Sequence, residues 1–125
     1  LEQAGITDEV AAFLSAHIDS IDRLEILLFL RQRASQSWSA AEVAKELRIG
    51  LAAAADQLAR LAKDDLLTLG PRYRYAPLTP ALAQAVDALE RAYHERRVSI
   101  ITLIFSKPNE KIRTFADAFK LRKDK

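Results

Sequence analysis

The sequence predicts a mainly α-helical domain with a small β-hairpin and a long C-terminal helix. Three observations carry that expectation. Ser39 and Glu42 stand three residues apart ahead of an apolar run, the spacing of a capping box at a helix start. Thr79–Pro80 sets a capping hydroxyl before a proline at the first helical position. Between them, Arg72–Tyr73–Arg74–Tyr75 alternates with the period of two that a strand requires.

Taken in order, Thr7 caps a first short helix whose opening turn carries Asp8 and Glu9, where the helix dipole favours anions. Val10, Phe13, Leu14, His17 and Ile18 follow at helical spacing. Asp19 or Ser20 restarts the pattern, and a helix runs from about 21 to 33. Its centre, Leu24 with Ile26 to Leu30, is apolar almost all round, as in a helix set in the middle of a core. Ser37–Trp38 interrupts it, and Trp38 is expected in the core or at the start of a strand. Ala40 to Leu47 forms a short helix, Arg48–Ile49–Gly50 a tight turn, and Leu51 to Lys63 a third helix with Ala54, Leu58, Leu61 and Ala62 on one face. Leu66–Leu69 reads as a strand, Gly70–Pro71 as a turn and 72–75 as the returning strand.

From Pro80 the residues Leu82, Val86, Leu89, Tyr93, Arg96, Ile100 and Leu103 keep a near-heptad spacing, so one long helix is expected to about Phe105. The β-branched cluster in 98–105 leaves a strand open as the alternative. Pro108 ends that element. Ile112, Phe115, Ala116 and Phe119 then mark a short basic amphipathic helix. The expected organisation is an N-terminal helix over 1–18, a central unit over 19–79, a long helix over 80–106 and a basic tail over 107–125.

Composition narrows the chemistry. Among 125 residues, 50% are hydrophobic and 29% charged, an ordinary globular balance. Cysteine is absent, which removes disulfides, thiolate metal sites and thiol nucleophiles. His17 and His94 stand far apart without partner motifs, so no metal site is expected, no cofactor is implied, and no nucleophile–base pair points to an enzyme. No run approaches the ~20 apolar residues of a spanning helix, and a cytoplasmic location is expected. With no methionine in the sequence, native residues are expected upstream of Leu1.

Charge is unevenly placed around the net of +2. Residues 1–30 hold six acids and one base, whereas residues 91–125 hold ten bases and four acids. A basic C-terminal end suits nucleic acid or an acidic partner, and a mixed solvated surface is the plainer alternative.

The order helix, helix, turn, helix, hairpin, helix resembles the winged helix-turn-helix superfamily, and its MarR-like branch most closely. The residues that carry the likeness are S39-A-A-E-V-A-K-E-L47, R-I-G, L51-A-A-A-A-D-Q-L-A-R-L-A-K63, D-D-L-L-T-L69 and R72-Y-R-Y75. They cover roughly residues 20–80. Asp64–Asp65 stands where the family usually has a glycine, and aspartate tolerates the left-handed turn needed there. The stretch F115-A-D-A-F-K-L-R-K-D-K resembles small uncharacterised bacterial proteins, which implies a bacterial source. The resemblance implies transcription regulation, with helix 51–63 in a DNA major groove and the hairpin on phosphate or the minor groove. Groove-facing positions would be Ala52, Ala53, Asp56, Gln57 and Arg60.

Base reading needs donors and acceptors, which alanine lacks. Only Gln57 and Arg60, with Lys63 near the helix end, can read DNA from that helix; Arg72 and Arg74 share one strand face and suit phosphate. The family also implies a homodimer, for which Leu82, Val86, Leu89, Tyr93, Ile100 and Leu103 offer a seam. The seam's alternative use is the domain's own core. The tail bases Lys111, Arg113, Lys120, Arg122, Lys123 and Lys125 suit DNA, an acidic protein or an anionic membrane; alternatively the tail folds back by Phe115 and Phe119. The expected function is therefore DNA binding of low sequence specificity, with a protein-interaction module that does not bind DNA as the alternative.

Overall fold

The computed structural model describes residues 6–106. The amphipathic tail expected around Phe115 and Phe119 lies outside the described residues. Five helices run over Asp8–His17 (α1), Ile21–Gln32 (α2), Ala40–Leu47 (α3), Leu51–Lys63 (α4) and Pro80–Glu95 (α5). A sixth, α6, covers 97–106.

The helix starts follow local hydrogen-bond chemistry. Thr7, Ser20 and Thr79 hydroxyls accept from the backbone N–H three residues on, at 3.3, 3.1 and 3.1 Å. Ser39 and Glu42 form the reciprocal box, with the Ser39 Oγ accepting from Glu42 N–H at 3.1 Å and the Glu42 carboxylate accepting from Ser39 N–H at 2.9 Å. Arg48 ends α3 in the left-handed conformation, φ 59°. That sharp reversal lets α4 begin three residues later and pack on α3. Asp65, at φ 67°, makes the corresponding left-handed turn after α4, a role a short polar side chain tolerates.

α1 packs on α5, while α2 and α3 pack on α4. The core they enclose includes Leu24, Ile26, Leu27, Leu30, Leu58, Leu61, Leu66, Leu89 and Ile100, all fully buried. Each such side chain contributes about 1.5–3 kcal/mol relative to exposure. α2 is buried along most of its length, from Arg23 to Leu30 except Glu25.

Two expectations need correction. The first is the β-hairpin wing: among the described residues there is no strand or sheet, and the segment expected as a hairpin makes isolated antiparallel bridges, Leu67 with Tyr75 and Trp38 with Tyr73. The segment 72–75 divides its bonds between two short neighbours. Tyr73 exchanges both main-chain bonds with Trp38, each 2.8 Å. On the other side Arg74 O accepts from Thr68 N–H at 2.9 Å, but the Arg74 N–H goes to the Thr68 hydroxyl at 3.0 Å. A side chain has taken the place of the next main-chain acceptor, and the pairing stops before it becomes a ladder. The winged fold class is therefore replaced by a helical one.

The second correction concerns the long C-terminal helix, which breaks at Arg96 (φ −133°, ψ 52°). Arg96 closes α5 by donating its N–H to Ala92 O, and its carbonyl accepts from Ile100 N–H at 3.0 Å to open α6. Segment 98–105 is helical, not a strand. The break turns α6 so that Ile100 and Ile104 enter the core.

Candidate interaction surface

The outward face of α4 is set by the burial of its opposite side, where Ala54, Leu58, Leu61 and Ala62 meet the core. At about 100° per residue that leaves Ala52, Ala53, Asp56, Ala59, Arg60 and Lys63 facing solvent, and all six are exposed. The face carries three methyls and little net charge, because Arg60 Nε sits 3.2 Å from Asp56 Oδ2 one turn earlier.

Gln57 does not belong to this face. Its Oε1 accepts from Arg23 Nε at 2.6 Å. Arg23 is the one buried charged residue in the described core, 6% exposed. Its guanidinium also donates to His17 O at 2.9 Å and pairs with Asp19 Oδ1 at 3.2 Å. Beside it, His17 Nδ1 lies 3.0 Å from Asp64 Oδ2. The end of α1, the start of α2 and the inner flank of α4 are thus joined by one polar cluster. Sequence reasoning missed Arg23, yet the signal was there: Arg23, Leu27 and Leu30 follow i, i+4, i+7, which places the arginine on the apolar stripe of α2.

Arg72 is likewise engaged within the chain. Its guanidinium donates to Ser37 Oγ at 3.0 Å, Ser37 O at 2.8 Å and Glu42 Oε1 at 2.9 Å. Glu42 is held below the usual carboxylate range, first by the Ser39 N–H it accepts and then by the Arg72 charge. Arg74 is exposed, as is Lys63, and neither side chain has an ion pair among the described residues. The five residues expected to touch DNA are therefore not one surface: Gln57 is turned inward, Arg72 is bound to the start of α3, Arg60 is paired, and Lys63 and Arg74 are open.

The seam expected for a dimer lies against the chain's own core. Val86, Leu89 and Ile100 are fully buried, and Leu82, Tyr93 and Leu103 pack around them half-buried. Trp38 is half-buried against the edge of the core, where it bridges Tyr73 and meets Phe29 edge-on, ring centroids 4.8 Å apart.

A groove of about 400 Å³ runs between α2 and α5, floored by Leu28, Phe29 and Leu47. The Tyr93 hydroxyl donates to Glu25 at 3.2 Å, and Arg97 lies over the Tyr93 ring. Burial first, then the Glu25 charge, pushes the Tyr93 phenol up. Arg31 closes the neighbouring stretch by bonding Asp87 and Glu90 together. No group of three His, Asp or Glu side chains that could hold a metal occurs among the described residues, and no helix there is long and apolar enough to cross a membrane.

No family model matches this chain, and no curated protein or solved structure matches it either. A functional reading therefore starts from the side chains themselves.

Proposed function

We propose that this chain is a protein-interaction module built on a helix-turn-helix pair, α3 and α4, rather than a reader of DNA sequence. The observation that supports this most is the inward bond of Gln57 to the buried Arg23. Exposed ion pairs such as Arg60–Asp56 contribute about 0–1 kcal/mol and exchange readily for phosphate. A glutamine held by a buried guanidinium does not turn outward so cheaply, because the arginine would lose a partner inside the protein. Without Gln57, α4 offers methyl groups, a carboxylate and two cations. Such a face suits the close approach of another protein element better than the donor and acceptor edges of bases.

A second reading is favoured by Lys63 and Arg74, exposed cations without an ion pair among the described residues: contact with a nucleic-acid backbone and no base readout. A salt titration with random-sequence duplex separates the two. Two phosphate contacts on B-form DNA give a slope of about −1.8, and Lys63→Ala with Arg74→Ala should abolish it. The protein-interaction reading expects no such binding. Its positive test is a photo-crosslinking residue at Ala53 in the cells of origin. A discrete protein adduct that disappears with Ala59→Glu supports the module; adducts to DNA alone overturn it.

A further inference from the structure

The groove between α2 and α5 combines an apolar floor with a cationic rim. Leu28 and Phe29 of α2 and Leu47 at the end of α3 form the floor. On one side the Arg33 guanidinium lies over the Phe29 ring, its Cζ 4.1 Å from the ring centroid. On the other side Arg97 lies over Tyr93 at 5.0 Å. An aromatic face attracts the cation and holds the planar group in place, so its N–H edge is arranged before any partner arrives. Arg33 spends one N–H on Phe29 O at 3.3 Å and has no ion pair among the described residues. Arg97 comes no nearer than 3.9 Å to Glu25, outside hydrogen-bond distance. Lys45 and Arg48, exposed beside Leu47, have no ion pair among the described residues either.

The two carboxylates of the groove are answered from within the chain. Glu90 pairs with Arg31 and accepts from Gln32 Nε2 at 2.8 Å. Glu25 accepts the Tyr93 hydroxyl at 3.2 Å. The hydrogen-bonding capacity left open at the rim is therefore that of cations. Its complement is a carboxylate, which a guanidinium fork binds through two parallel N–H bonds.

We propose that this groove docks an acidic segment of a partner protein. The segment seats one large apolar side chain, aromatic by preference, on Leu28 and Phe29 and sets its carboxylates on Arg33 and Arg97. None of these residues lies on α4, so the inference goes beyond the α4 face and stands apart from it. A basic segment would meet the open guanidiniums and find both acids already bonded. A nucleic-acid strand fits less well, because its charges recur roughly every 3.4 Å and would run across Glu25 and Glu90 as well as the two arginines. A peptide can place its carboxylates at the rim and an apolar side chain between them.

The test is selection of random short peptides displayed against the full chain. The selected peptides should be enriched in an aromatic or leucine residue flanked by Asp or Glu, and depleted in Lys and Arg. Arg33→Glu with Arg97→Glu, both at exposed positions, should weaken them roughly tenfold or more, with circular dichroism and urea midpoint showing the fold retained. On the unmutated protein, added peptide should shift the methyl NMR signals of Leu28 and Leu47 and leave those of Ala53 and Ala59 in place. Selected peptides without acidic enrichment, or equal binding to the double variant, overturn the proposal. Peptides that move the Ala53 and Ala59 signals instead belong to the α4 face and overturn it too. So does random-sequence duplex that shifts the Leu28 and Leu47 methyls where the peptides do not. Self-association by sedimentation that Arg33→Glu abolishes assigns the groove to a second copy and overturns it equally.

Discussion

Replacing Arg23 by alanine tests the polar cluster that turns Gln57 away from the surface. Arg23 donates to Gln57 Oε1 at 2.6 Å and to His17 O at 2.9 Å, and it pairs with Asp19 at 3.2 Å. Hydrogen bonds to a charged group contribute about 1.5–3 kcal/mol each. The Asp19 side chain is about a third exposed, so its pair adds at most about 1 kcal/mol. Against this stands the cost of keeping a guanidinium out of water, which the substitution relieves. The net loss should be about 2–4 kcal/mol, read as a lower urea midpoint at unchanged slope and a melting temperature lower by on the order of 10 °C. Arg23→Met, which keeps the stem and drops the charge, should recover part of that loss. Gln57→Ala removes one bond to the charged guanidinium and should lose about 1.5–3 kcal/mol, with coupling to Arg23 of at least about 0.5 kcal/mol in a double-mutant cycle. A loss below about 1 kcal/mol for Arg23→Ala, or zero coupling to Gln57, would refute the reasoning and return Gln57 to the outer face.

Three further outcomes follow from the packing and the ionisable groups. Leu89, fully buried in the chain's own core, should lose about 2–5 kcal/mol on Leu89→Ala in urea unfolding, with no change of oligomeric state by sedimentation. Tyr75 and Tyr93 are both raised above the usual phenol value, chiefly by burial. Folding thus favours their protonated forms. This stability is complete below about pH 10 and declines as pH rises through the folded values. Phenolate absorbance titration should show late-titrating phenols that Tyr75→Phe and Tyr93→Phe remove one at a time. Glu42 shifts the other way, so its contribution is present above the ordinary carboxylate range and fades as pH falls through the depressed value. Arg72→Ala should raise the Glu42 pKa by NMR titration only part-way, because the Ser39 N–H, the larger cause, stays in place.

The sequence by itself determined the local starts and stops. Ser39 with Glu42, Thr79 before Pro80, and Thr7 ahead of two acids each act within one helical turn, so their chemistry is complete without the rest of the fold. The boundaries of α3 and α4 and the left-handed turn at Asp65 were legible for the same reason. What only the tertiary structure decided involves choices between partners distant in sequence. The period-two pattern at 72–75 stands in the sequence, but whether it became a hairpin depended on the Thr68 hydroxyl taking the Arg74 N–H in place of the Thr68 carbonyl. The heptad spacing from Leu82 to Leu103 fitted one long helix; burial of Ile100 and Ile104 in the same core as Leu89 accompanies the bend at Arg96. Gln57 and Arg72 stood at exposed positions by spacing alone. Arg23 and Glu42, each far away along the chain, drew them into the protein's own network. A polar side chain's periodicity fixes where its Cα lies on a helix or strand. Which partner its terminal atoms find is settled by the elements that pack beside it.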